Sequence, residues 1–360
     1  MGGSHAGFLN AWQRGSCHDI QIEGLAARHW KWRMSAGAWE FGRRIPRDAP
    51  APDLIFATDY VDLSQLAGFL PASWSRVPRV LYMHENQLTY PVHQGVAADT
   101  SWGFKNIMSC IVAQRVIFNS DFHRREFTAA ADDLLRTLPR PNPRAELADR
   151  LAQALIVGPG IDRDRIPLGP GGPARSPLRV LFNHRWEHDK DPVAFLTAIA
   201  ALRRAELPVE VVALGQSFSQ VDQPTTALLE ELSDCIRQRG FIDDPKAYHH
   251  SLGTCDVVVS TARHEFYGIS ILEALSAGCT PLVPDRLAYP EILPPELHAG
   301  GLYGDDADLI RRLTRLAQDP GSIRGPEWRR AVREGGCSHG IDRTASELDR
   351  IVSEVTATQS

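Results

Sequence analysis

The chain contains no C-x-x-C pair, and its six cysteines, at 17, 110, 235, 255, 279 and 337, are scattered along 360 residues. That spacing excludes a disulfide framework and a dithiol redox motif; it reads as reduced, mostly buried thiols in a cytoplasm. No apolar run reaches the ~20 residues that span a bilayer, and no signal-peptide pattern opens the chain, so no membrane attachment is expected. Met1-Gly2 begins a myristoylation pattern, but Ala6 stands where that pattern needs Ser or Thr. Internal repeats and low-complexity tracts are missing. No G-x-G-x-x-G follows a strand-like run, which removes the dinucleotide fingerprint. His184 and His188 have i,i+4 spacing without H-E-x-x-H, so no metal site is expected. Gly336-Cys337-Ser338-His339-Gly340 fits G-x-S-x-G, yet the preceding WRRAVREGG is helix-like; a nucleophile elbow needs a strand there, and a hydrolase is rejected.

What is present is the alternation of an α/β protein. Short β-branched runs alternate with amphipathic stretches of helical length. Strands are expected at 18–25, 53–58, 79–85 and 115–119, and again at 179–185, 209–215, 256–262 and 279–284, with helices near 192–204, 225–239 and 268–277. The length exceeds the usual size of one core, so two domains are expected. The Pro- and Gly-dense segment 166–177 is the natural linker. The opening, MGGSHAGFLNAWQRG, is a glycine turn running into a helix with no strand before it. An opening strand is therefore expected to be missing, and upstream Val/Ile/Leu-rich sequence would be needed to supply it.

Charge is unevenly divided. The net charge is −5, but residues 1–150 hold 17 cations against 15 carboxylates and residues 151–360 hold 22 against 29. A polyanionic partner is therefore expected to meet the first half. In the second half, NHRWEHDKD follows a strand and carries Arg185 and Lys190 on one loop at a sheet's carboxyl edge. These residues suit a diphosphate; the alternative is a solvated charged loop. RHEFYGISILEA holds Glu265 and Glu273 eight positions apart around Gly268. They read as paired acid and base carboxylates, as flanks of a helix start whose amides face an anion, or as two surface glutamates on a solvated helix. In the first half, Gly2-Gly3-Ser4-His5 can cradle an anion at a helix start. YMHEN ends a strand in His84-Glu85-Asn86, where a histidine can meet a substrate or remain a half-buried core residue. FNSDFHRREF ends another strand at Asn119, with Ser120 or Asp121 as an N-cap.

Together these motifs resemble the GT-B glycosyltransferases of family 4. Glu265 to Glu273 matches the E-x7-E signature, and Arg185 with Lys190 matches the diphosphate-binding pair. The first half, through GGSH, LAARHWKWRM, LIFATDYVDLSQL, YMHENQLTYPV and FNSDFHRREF, is similar to the tRNA-queuosine mannosyltransferases, although that family has a strand before GGSH.

The resemblance implies two Rossmann-like domains with parallel sheets facing across a cleft. Residues 1–166 would bind the acceptor, 167–177 would link, 178–345 would bind the nucleotide sugar, and 346–360 would form a tail. It further implies a retaining, metal-free transfer of mannose from GDP-mannose to queuosine in the tRNA-Asp anticodon, with no cofactor, in the cytoplasm. His84, Arg185, Lys190 and Glu265 would be catalytic. Gly3, Ser4, Gly268, Ile269, Ser270 and Glu273 would bind the donor. In this reading Gly268 lets a phosphate approach the backbone, Glu265 takes sugar hydroxyls and Glu273 holds the ribose. His5, Trp30, Lys31, Trp32, Arg33, Glu85 and Asn86 would bind the acceptor. The segment Arg28-His29-Trp30-Lys31-Trp32-Arg33 interleaves cations with tryptophans, which reads either as a face for a single-stranded RNA loop or as core tryptophans whose neighbouring cations snorkel to solvent. The competing readings are a GT-B enzyme acting on a glycan, lipid or small molecule, and a non-catalytic or epimerase-like nucleotide-sugar-binding protein.

Overall fold

The computed structural model describes residues 3–26, 29–91, 99–170, 177–216 and 222–358. The chain divides into two compact units: residues 1–160 with 341–360, and residues 161–340. In the first unit, α1 (Gly3–Gly15) and α2 (Trp30–Arg44) precede β1 (Ile55–Thr58), α3 (Leu63–Phe69), β2 (Arg79–Met83), α4 (Thr100–Val112), β3 (Arg115–Phe118), α5 (Asp121–Thr137), α6 (Arg144–Ala152) and β4 (Leu155–Ile156). The strands pair in parallel in the order β1-β2-β3-β4, with Val80 beside Phe56 on one side and Arg115 on the other.

The second unit begins with β5 (Leu178–Asn183), α7 (Pro192–Arg204), β6 (Val209–Leu214), α8 (Gln223–Glu231), β7 (Ile236–Gly240) and α9 (Pro245–Gly253). It continues through β8 (Val257–Val259), α10 (Ile269–Ser276), β9 (Thr280–Pro284), α11 (Tyr289–Ile292), α12 (Pro295–Gly301), β10 (Leu302–Tyr303), α13 (Asp306–Gln318) and α14 (Pro326–Gly335). Its parallel sheet runs β10-β9-β8-β5-β6-β7. The central strands β5, β6 and β8 are buried on both faces, which is why RVLF, VEVVAL and VVV read as near-continuous apolar runs. The caps are local and legible: Asp62, Ser120, Asp191, Asp222, Asp244 and Asp305 each accept a first-turn amide.

Three sequence expectations are corrected. Residues 18–25 form no strand; Gln13 Nε2 donates to Ile20 O, and Asp349 anchors Ser16 and Cys17, so the segment lies against its unit without pairing. Its period-two pattern reflects one half-buried side of an extended loop. The expected helix 225–239 stops at Glu231, because Cys235 O and residues 236–240 pair with β6 as the sheet's edge strand. The expected tail is instead the body of α15 (Ile341–Ala357), whose Leu348, Ile351 and Val355 are buried in one cluster with Phe8, Trp12, Val80 and Tyr82. The unit boundary falls at Gly160/Ile161, ahead of the expected linker, of which residues 171–176 lie outside the described residues.

Candidate functional site

In the second unit the predicted donor residues converge at the carboxyl edge of the sheet. The loop after β5 carries His184 through Asp191, and the loop after β8 leads through Glu265 into α10. The two loops are tied together: Arg263 N donates to Asp189 O at 2.8 Å, and Thr261 Oγ1 donates to Lys190 O and Asp191 O. Lys190 is buried, and its ammonium lies 2.6 Å from His264 O, 3.2 Å from Glu265 Oε2 and 3.3 Å from Asp189 Oδ2. Arg185 is half-exposed, 3.8 Å from Asp189 Oδ2.

The electrostatics follow from that packing. Burial opposes the charge of Glu265, but Lys190 beside it and the Tyr267 amide outweigh burial and bring the carboxyl down to about 2. Burial also works against the Lys190 ammonium, yet Glu265 and Asp189 leave it above its ordinary value. Burial, then Lys190, pushes His184 down to about 3 and His264 down to about 4, so both imidazoles are neutral.

Gly268 is the N-cap of α10 with φ 100°, a left-handed conformation, and an added Cβ would meet Ile292 Cδ1 at 2.9 Å. Its own backbone conformation and the contact with Ile292 demand a glycine here, independently of any phosphate that approaches the backbone. Beyond it, the amides of Ile269 and Ser270 belong to the first turn, which has no intrahelical acceptors and carries the positive end of the helix dipole. Glu273, one turn further, accepts Tyr248 Oη–H at 2.6 Å; burial raises its carboxyl above the ordinary value, against the pull of that bond. Asn183 Nδ2 donates both to Tyr248 Oη and to Ser270 O, tying the end of β5 to α9 and α10.

Asn183, Asp189, Tyr248 and Gly215 escaped the sequence reading. Gly215, at φ 123°, has a signal in hindsight: it ends a strand where a Cβ would strike His184 O at 2.1 Å. Tyr248 has none, since a single tyrosine on a short amphipathic helix carries no motif of its own.

The first unit gathers a second cluster. His84 follows β2, donates its amide to Asp59 Oδ1 at 2.9 Å and accepts Asn119 Nδ2 at its carbonyl, also at 2.9 Å. Its ring is enclosed by His5 at 4.1 Å, Tyr82 at 4.5 Å and Phe8 at 4.9 Å, and among the described residues its buried Nε2 has no hydrogen-bond partner. Burial, then His5, holds the imidazole well below its ordinary value, and burial with Arg33 nearby brings His5 down to about 4. Tyr60 joins these groups, donating to Glu85 Oε2 at 3.2 Å, with its ring 5.0 Å from His5 and the Arg33 guanidinium 5.5 Å from its centroid. Thus His5, Arg33, His84 and Glu85 come together, along with Asp59 and Tyr60, which the sequence reading missed.

Asn86 spends its Oδ1 on the amides of Leu88 and Thr89, so it builds the turn. Lys31 and Trp32 are exposed on α2; Gly3 opens α1, and the side chains of Ser4 and Trp30 lie outside the described residues, as do Ala27 and Arg28. Among the described residues, Cys17, His18 and Asp349 form one group within reach of a common metal ion. There Asp349 already accepts Trp12 Nε1, Ser16 Oγ and Cys17 N, the work of a clasp between α1 and α15. Among them too, no helix is long and apolar enough to cross a membrane.

Comparison with known proteins agrees in both units. Residues 1–159 match the family model for the N-terminal region of tRNA-queuosine alpha-mannosyltransferase, and residues 171–334 match glycosyl transferases group 1. The chain is 32% identical over 330 residues to the tRNA-queuosine alpha-mannosyltransferase of Drosophila melanogaster, covering 89% of this chain and 85% of the fly protein. Among solved structures, sucrose-phosphate synthase of Thermosynechococcus elongatus superimposes with a TM-score of 0.68 at 16% identity, over 94% of this chain and 83% of that one. Anabaena HepE in complex with UDP gives 0.62 at 14% identity, over 89% and 82%. These two likenesses bear on the fold, which is GT-B, and the identity to the fly enzyme bears on the lineage: the chain is a glycosyltransferase and belongs to the tRNA-queuosine alpha-mannosyltransferase family.

Proposed function

We propose that this enzyme transfers mannose from GDP-mannose to the queuosine base in the anticodon of tRNA-Asp, with retention of configuration and without a metal, in the cytoplasm. The observation that carries the reading is the match of the first unit, residues 1–159, to the N-terminal region of this one family, since the second unit's match is to glycosyltransferases at large.

In this reading the departing diphosphate is stabilised by Arg185 and by the first-turn amides of Ile269 and Ser270. Such preorganised donors are commonly the largest catalytic term, and they make protonation of the leaving group unnecessary. Lys190, whose ammonium is directed at Glu265, Asp189 and His264 O, holds Glu265 ionised as an acceptor for sugar hydroxyls. Glu273 takes the ribose. His84, neutral and with Nε2 unpartnered among the described residues, offers a hydrogen bond to the sugar without adding charge to an oxocarbenium-like state. On the acceptor side, Lys31 and Arg33 track RNA phosphates while Trp32 offers a stacking face.

The test is a transfer assay with GDP-mannose and queuosine-containing tRNA, read by mass spectrometry of the released nucleosides. A hexose gained by queuosine, in excess EDTA as well as without it, is the expected result. Transfer only to a glycan or lipid, or a strict need for a divalent ion, would overturn the acceptor or the metal-free mechanism respectively. Lys31→Ala with Arg33→Ala is expected to weaken tRNA binding and flatten its salt dependence while leaving GDP affinity unchanged.

A further inference from the structure

The first unit carries an aromatic and cationic surface beyond the segment that suggested RNA. Trp32 and Trp39 are 67% and 48% exposed, unusual for indoles. They stand seven residues apart on α2, which places them on one helix face about 10.5 Å apart along its axis. Arg43, one turn beyond Trp39, holds its guanidinium 5.2 Å over the Trp39 ring. At the other end of the helix, Lys105 of α4 donates to Met34 O and lies 4.8 Å over Trp102. The helix α2 itself holds Lys31, Arg33, Arg43 and Arg44 against Glu40 alone, a balance of +3 in a chain whose net charge is −5.

We infer that α2 is a two-point stacking platform for unpaired nucleotides of the RNA acceptor, with Trp39 and Arg43 forming its second point. This rests on the RNA-acceptor reading above and extends it to residues outside the motif that suggested it. The chemistry selects the occupant. An indole face accepts any base by stacking, and the Arg43 guanidinium over the ring, which Glu40 holds in place through two hydrogen bonds, adds a cationic edge to the platform. A purely apolar protein partner would gain nothing from the positive balance of α2, and a regular duplex offers no open base face to either indole.

The experiment uses the full chain and two probes: an RNA hairpin with an unpaired loop, and the same stem closed as a continuous duplex. Binding is followed by anisotropy of labelled RNA and by quenching of tryptophan emission. Trp39→Ala is expected to weaken hairpin binding between about fivefold and a hundredfold and to reduce the quenching. Trp39→Phe, which keeps a ring, is expected to stay within about threefold. The salt slope should be unchanged in both, because no phosphate-neutralising cation has been removed. KM for the nucleotide sugar should also be unchanged.

Hairpin binding by Trp39→Ala within twofold of the parent, with normal circular dichroism, would overturn the platform while leaving the acceptor reading intact. Equal competition by the closed duplex would do the same. Failure of the parent to bind any RNA would instead remove the acceptor reading, and the platform with it.

Discussion

Lys190 directs its ammonium at three acceptors, whereas Arg185 on the same loop is half-exposed and meets Asp189 only at 3.8 Å. Their substitutions should therefore fail differently. Arg185→Ala is expected to keep the fold and lower kcat by about 10²–10³, the loss associated with one oxyanion donor. Lys190→Ala strips the partly buried Glu265 of its counter-ion and leaves Asp189, 1% exposed, with only Arg185 at 3.8 Å, so it should also cost roughly 3–5 kcal/mol of stability. Reading the pair from sequence as two equivalent diphosphate contacts had implied little loss of fold for either. Denaturant titration beside steady-state kinetics separates the two effects; equal stability of both variants would contradict the burial argument.

Tyr248 makes the complementary case. Its hydroxyl links Asn183 to Glu273, and Tyr248→Phe should raise the nucleotide Kd roughly tenfold, as expected for loss of a hydrogen bond to a carboxylate, with kcat unchanged. An unaltered calorimetric Kd for GDP would show that Glu273 needs no such support.

At the scale of elements, what was legible in the sequence followed burial. Strands β5, β6, β8 and β9 are enclosed, and such positions are filled mostly by apolar residues, so their runs stand out. The edge strand β7, Ile-Arg-Gln-Arg-Gly, needs no apolar face and its burial merely alternates, so it read as the end of a helix. Residues 18–25 misled in the opposite sense, because alternation records one covered side and says nothing about pairing. The helix start at Gly268 was legible, but the packing need for a glycine there was not. That the glycine is needed for φ 100° and for contact with Ile292 and Tyr289 depends on residues more than twenty positions away. Gly268→Ala is therefore expected to destabilise the protein by about 1–3 kcal/mol without any ligand present. A thermal melt of the unliganded variant that matches the parent would show that neither φ nor Ile292 demands the glycine.

For the whole molecule, the alternation of strands and helices announced two α/β units, and the donor loop could be assembled because its residues lie next to strand ends. The return of the chain into the first unit could not be read, since the stripe Leu348, Ile351 and Val355 fits any amphipathic helix. Its partners Phe8 and Trp12 lie more than 300 positions earlier. The contact is built as core: these residues share a cluster with Val80, Tyr82 and Ile117 of the central strands, and Asp349 accepts Trp12 Nε1 at 2.8 Å. Thr344 Oγ1 adds a bond to Gly158 O at 3.0 Å.

Burying each large aliphatic side chain contributes about 1.5–3 kcal/mol, so losing three of them, and uncovering their partners, rivals the stability of a small domain. A chain ended after Gly340 should thus lose the first unit selectively. Hydrogen exchange read by mass spectrometry is expected to show protection collapsing in residues 79–83 and 115–118. In the same molecule 178–183 and 257–259 should stay protected, because the core of the second unit draws on no residue beyond 340. Retained protection at 79–83 would mean that α15 covers the first unit without holding it together, while loss in both sheets would mean that the two units unfold as one.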